Sequence, residues 1–167
     1  RVMTCAALNY IRGTNVCVLF SGYEADKVVP DPSSDIHHKS CVNSNRICSS
    51  PFTFEASPGK ILVGFAREVV PATDVGQCLT ACLESVTDFQ FECESMMFYP
   101  NDNECILNTE DRRDSPGAFV EENSDQVIYI DNNCAGSTCY SPHITQYIAH
   151  KGKVLGGERD VVISDTP

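Results

Sequence analysis

The sequence predicts an α+β fold in which a short helix lies across a β-hairpin and is riveted to it twice. Three observations predict it. An apolar stripe of helical period runs through Val75, Leu79, Leu83 and Val86. Cys78 and Cys82 lie four residues apart beside that stripe, so their sulfurs leave nearly the same face one turn apart. Cys93 and Cys105 then sit in β-leaning runs, FQFECESMMFY and CIL, separated by the turn-forming PNDN.

Each neighbouring element has its own local signal. Thr73 or Asp74 can cap the helix by accepting a hydrogen bond from its first free backbone N–H groups. Upstream, Phe52–Phe54 starts a strand, Ser57-Pro58-Gly59 turns it, and Lys60–Phe65 returns, with Gly64 a bulge position. Glu68–Val70 extends that strand until Pro71 breaks it. Met96 and Met97 read as one core-facing and one outward residue of the strand. Residues 108–117 form a polar loop with the charge run Glu110-Asp111-Arg112-Arg113-Asp114, which reads as a solvated surface. Phe119 anchors the loop end, and Gln126–Ile130 is the last strand.

Composition bounds the class. Ten cysteines in 167 residues read as a disulfide framework made in an oxidising compartment, which makes a secreted, extracellular chain the expectation. Zinc is disfavoured because the chain lacks paired CxxC knuckles, and His37, His38, His143 and His150 are not spaced with cysteines as ligands. A net charge of −11 argues against nucleic acid and acidic membrane surfaces, which need a basic patch. No run of apolar residues is long enough to span a bilayer, so membrane insertion of this segment is not expected.

An internal repeat organises the chain. Cys5 to Cys17 is a step of twelve residues, as is Cys93 to Cys105, and TCAALNYIRGTNVCVLF aligns with ECESMMFYPNDNECILN. Cys41 matches Cys134 as a closing cysteine. A second echo aligns CSSPFTFEASPGKILVGFAREVV, from Cys48, with CYSPHITQYIAHKGKVLGGERDVV, from Cys139. Residues 1–41 are therefore read as the back half of one unit, 48–134 as a complete unit and 139–167 as the front part of another. Residues 42–47 and 135–138 are the linkers.

The complete unit resembles a PAN/apple domain. The resemblance is carried by six cysteines in order (Cys48, Cys78, Cys82, Cys93, Cys105, Cys134), the Cys-x-x-x-Cys helix, Phe91-Glu-Cys93-Glu-Ser95, Tyr99 and the closing VIYIDNNC. It implies a PAN/apple fold in tandem, an antiparallel β-sheet cradling one disulfide-linked α-helix. It also implies the bridges Cys48–Cys134, Cys78–Cys105 and Cys82–Cys93. With CILNTEDRR at 105–113, the version here looks most like PAN domains of large extracellular-matrix proteins of moulting invertebrates, some of them followed by a zona-pellucida module.

In the partial copies Cys5, Cys17, Cys41 and Cys139 lack their unit-mates. One reading is a piece of a longer array; another is a head-to-tail assembly in which Cys139 of one copy bonds Cys41 of the next. Pairing of Cys5 with Cys17 is a fallback. His37-His38 in a polar loop and Asn101-Asp102-Asn103-Glu104 in a turn lack the further ligands a metal needs. No catalytic set emerges and no cofactor is implied, so an enzyme is not expected. The expected function is a structural component of an extracellular matrix or filament, partnered by other protein chains or by copies of itself. The alternative is an adhesin or receptor module that binds protein or carbohydrate.

Overall fold

The computed structural model describes residues 5–40, 42, 44, 46, 47, 52–136, 139, 140, 146–156 and 161–164. The chain divides into a central unit, Ser40–Gln146, and a terminal unit built from Arg1–Lys39 with Tyr147–Pro167. In chain order the first elements are β1 (Ala7–Ile11), β2 (Val16–Phe20), a 3-10 turn η1 (Ala25–Lys27), β3 (Val28–Ser40) and β4 (Arg46–Ile47). Next come β5 (Phe54–Pro58), β6 (Lys60–Leu62), β7 (Ala66–Pro71), α1 (Val75–Leu83), α2 (Ser85–Phe89), β8 (Ser95–Tyr99) and β9 (Glu104–Asn108). The rest are a 3-10 turn η2 (Pro116–Ala118), β10 (Phe119–Glu121), β11 (Ile128–Asn132), β12 (Cys139–Tyr140), β13 (Gln146–Leu155) and β14 (Val161–Ser164).

The central unit is an antiparallel sheet in the order β5-β11-β8-β9-β7, with α1 packed against it. Asp74 is the helix cap: its carboxylate accepts from the Gln77 N–H at 2.9 Å. The Gln77 side chain reaches back to Thr73, accepting from its N–H and donating to its hydroxyl, so the first turn closes reciprocally. One helix was expected through Val86, but α1 ends at Leu83. Glu84 has left helical geometry, and a second short helix, α2, runs to Gln90 in the left-handed conformation. The apolar stripe therefore stops at Leu83, and Val86 is 47% exposed.

Met96 and Met97 are both buried, which corrects the expectation that one faces outward. The sheet is covered on both sides. Met96, Phe98, Leu107 and Ile130 share the face of Cys105, which is bonded to α1. On the other face Met97, Leu62, Val127 and Tyr129 form a core with Ile61, Ile106 and Phe119 packed against it. The short ladder of β6 with β10 pairs Leu62 with Phe119 and contributes both residues to that core. The residues read as linkers also carry structure, since β4 pairs with β12, Ile47 opposite Cys139.

The terminal unit is a sheet in the order β14-β2-β1-β3-β13, so the two end pieces of the chain meet in one sheet. Its ladders reproduce those of the central unit. Ala7 pairs with Phe20 and His38 where Ser95 pairs with Asn108 and Asp131. Val162 pairs with Val18 where Val69 pairs with Ile106. The turn residues Asn15 and Asn103 sit at φ 53° and 55°, and Gly59 and Gly152 at 69° and 67°. Ala7, Val18, Phe20, Ile36 and Leu155 form its core. His37 and His38 were expected in a loop. They lie instead in the thirteen-residue strand β3, opposite Leu8 and Ala7, because pairing with β1 satisfies a backbone that the polar sequence alone would leave to solvent.

Substituting Gly59 or Gly152 by alanine forces a side chain into left-handed backbone and should lower stability by about 1 kcal/mol each. Gly13→Ala, where an added Cβ meets nothing within 4 Å and φ is not positive, should be close to neutral. Thermal denaturation of the three variants checks the expectation.

Candidate functional site

Two constructions stand out in the central unit, one on each side of its sheet. The first is the clasp between α1 and the hairpin. Cys78 is bonded to Cys105 and Cys82 to Cys93, with Cα separations of 5.4 and 5.2 Å. All four cysteines are fully buried, as are Leu79 and Leu83 beside them. Polar groups close the ends of the clasp. The Ser85 hydroxyl accepts from the Cys93 N–H at 2.9 Å, and the Asn132 amide donates to the Cys93 carbonyl at 2.7 Å. Arg46, 3% exposed, donates to the Leu83 carbonyl and pairs with Glu92 at 2.8 Å, which places a cation at the C-terminal end of α1.

Cys134 is also disulfide-bonded. Cys41 and Cys48 lie outside the described residues, as does the side chain of Cys139, and with them the Cys48–Cys134 and Cys41–Cys139 pairings. Cys5 and Cys17 are free thiols, each half-buried, so the fallback pairing between them is not made. They sit one strand apart in the pattern of Cys93 and Cys105. The Cys5 thiol donates to the Ala7 carbonyl at 3.3 Å, where the Cys93 sulfur lies 3.2 Å from the Ser95 carbonyl.

The second construction is centred on Arg112, in the charge run that sequence reasoning read as solvated. Its Nε donates to Asp131 at 2.8 Å and its Nη2 to Glu55 at 2.6 Å, with both carboxylates buried. The Arg112 backbone N–H donates to the Tyr129 hydroxyl, which in turn donates to Asp131, both at 2.8 Å. Arg113 pairs with Asp111 at 2.8 Å and donates to Asn133. Burial raises the Asp131 carboxyl above its ordinary range while the Arg112 guanidinium pulls it back. Burial opposes the charge on Arg112, but Asp131 and Glu55 outweigh it, so its pKa is raised. A faint signal existed: Glu55 follows Phe54 and Asp131 follows the apolar run Ile128-Tyr129-Ile130, and carboxylates drawn into a core by such neighbours need a cation.

In the terminal unit Tyr23, His38 and His150 stack, with Tyr23 and His38 ring centroids 4.0 Å apart and His38 to His150 5.0 Å. His150 Nε2 and His38 Nδ1 are 3.1 Å apart, a separation that one shared proton satisfies. Burial lowers the His38 imidazole to about 4; for His150 burial, with His38, His37 and Lys153 adding to it, lowers the ring to about 3. Among the described residues no group of His, Cys, Asp or Glu is arranged to hold a metal. No helix among them is long and apolar enough to cross a membrane.

Residues 48–134 match the family described as PAN domain. The chain is also similar to an uncharacterized protein of Caenorhabditis elegans, 32% identical over 143 residues that make up 79% of this chain and 22% of that protein. The chain thus spans about a fifth of the length of this relative.

Two outcomes follow from the polar groups. Arg112→Met removes the guanidinium that two buried carboxylates share and should cost about 3 kcal/mol; adding Asp131→Asn should recover part of the loss, a coupling that denaturant titrations of the double-mutant cycle measure. The folded-state pKa values of His38 and His150 lie below the ordinary 6.5, so the unfolded chain binds more protons in between. Stability of the terminal unit is therefore full above about pH 6.5 and falls as pH drops towards 4, by on the order of 2 kcal/mol per ring at pH 5. Hydrogen exchange of β1 and β3 at pH 7 and pH 5 reads the loss, and His150→Phe should remove about half of it, leaving the share of His38.

Proposed function

Taking as premise that the chain belongs to the PAN domain family, we propose that it is a structural component of an extracellular matrix or filament, built from disulfide-stapled PAN units that make protein–protein contacts. PAN domains are modules for binding protein or carbohydrate, and the clasp and the Arg112 network give the central unit a rigid frame for that purpose. The observation that carries the reading is repetition: the terminal unit repeats the strand order and register of the central unit. We read it as a second unit of the same kind, so that contacts are made along a series of like surfaces. Disulfide density supports the reading of an oxidising, extracellular setting, and the bridged cysteines of the clasp support a role by contact.

The exposed apolar positions of the central unit, Val63, Val69, Val86 and Val120, are where such contacts would begin. An acidic chain of net charge −11 would meet partners of basic or apolar surface. The alternative, an adhesin or receptor module for carbohydrate, draws on the family alone. Light scattering and electron microscopy of the non-reduced protein, beside a glycan array, separate the two. Concentration-dependent assembly or binding to matrix protein supports the matrix role; a persistent monomer that binds glycans overturns it.

A further inference from the structure

One strand of the central sheet has an open edge. Among the described residues β7 has β9 on one side and no strand on the other. All of its residues except Val70 are exposed, Val69 by 51%. The ladder with β9 decides which backbone groups that edge presents. Beyond one end of β7 the Ala72 N–H bonds the Asn103 carbonyl, and beyond the other the Thr109 N–H bonds the Phe65 carbonyl. Bonding and non-bonding pairs alternate in an antiparallel ladder, so Val70 and Glu68 turn their N–H and C=O groups to β9 while Val69 turns both away. A bulge between Ala66 and Glu68 shifts the register, and past it Ala66 also faces away. The bonding residues of the edge are therefore three apart, where a regular strand has them two apart. Between them stand Arg67 and Glu68, both exposed and neither in an ion pair among the described residues. Pro71 ends the strand with no N–H to offer.

We propose that this edge pairs with the same edge of a second copy of the chain, antiparallel about a two-fold axis, with Ala66 opposite the partner's Val69 and Arg67 opposite the partner's Glu68. The pairing rests on the reading of the chain as a module that works by contact with protein chains, and it names one such contact. Two-fold symmetry makes every pair occur twice. Ala66 and the partner's Val69 exchange both N–H···O bonds, and the spacing of three on one strand meets the same spacing on the other. Between those bonds each Arg67 faces the partner's Glu68, so the edge is complementary in charge to itself. Sliding the pair by one residue in either direction sets Glu68 against Glu68 or Arg67 against Arg67, which fixes the register. A bulge, charged residues and a proline keep an edge from joining strands at random. Here they turn away a regular strand, whose bonding groups fall out of step, and an apolar one, which leaves both charges unanswered. A second β7 satisfies spacing and sign together.

Sedimentation equilibrium of the whole, non-reduced chain tests the pairing. The wild type should form a reversible dimer. Arg67→Glu and Glu68→Arg each set like charges opposite one another at both symmetric positions and should weaken self-association roughly tenfold. Mixed in equal amounts, the two variants regain opposite charges at both positions, so a heterodimer of wild-type strength should form. The double variant Arg67→Glu/Glu68→Arg should dimerise by itself. Both side chains are exposed, so thermal unfolding of every variant should stay close to that of the wild type and separate lost pairing from lost folding. Single variants that associate as the wild type does, or a mixture that stays apart, would overturn the pairing. Assembly of the wild type that ignores these charges sinks the β7 contact and leaves the matrix role standing. A wild type that is monomeric at every concentration sinks the contact and takes self-assembly out of that role.

Discussion

The bonds from two successive turns of α1 to two neighbouring strands determine more of this molecule than any other contact. α1 has nine residues, too few to persist in water by its own hydrogen bonds. The cross-links close segments of 27 and 11 residues, and each contributes about 3 kcal/mol by restricting the unfolded chain. They also set the helix at one height and one rotation over the hairpin. Leu79 and Leu83 then fall on the sheet, Ser85 reaches the Cys93 N–H, and the chain has to break at Glu84 to return to β8.

With one face of the sheet closed by the clasp, the other face tolerates a polar centre. Arg112 spans Asp131 and Glu55, and Tyr129 joins the backbone of Arg112 to the same carboxylate, so the loop after β9 is held to β11 and β5. Such a network adds little net stability over an apolar filling of the same volume, but breaking it halfway is costly. Its effect is to give a long loop a single conformation. A contact module gains from that, since binding then requires no ordering of the loop.

Much of the clasp was legible in the sequence because its signal is local: a helical period, two cysteines on that period and two more in strands all lie within about thirty residues. The Arg112 network was not legible, since Glu55, Arg112 and Asp131 are far apart in the chain and a charge run looks the same in solvent or over a buried carboxylate. The pair Met96 and Met97, of which one was expected to face outward, was misread for a related reason. Period-two alternation tells which residues share a face, but not whether the second face is covered. The placing of His37 and His38 failed because β3 owes its extended form to its partner β1 and not to its own polar residues.

The terminal unit has its strands in a different chain order from the central one, with β13 and β14 arriving after the whole central unit has been made. During synthesis β1, β2 and β3 leave the ribosome before the central unit, and more than a hundred residues must follow before β13 can join β3. At about 5–20 residues per second that interval lasts several seconds, far longer than the microseconds a hairpin needs to form. For that time β3 offers an open backbone edge to any nascent neighbour with a similar β13. The slower the translation, the longer that edge stays open, so the rate of synthesis sets how long β3 waits for its own partner strand.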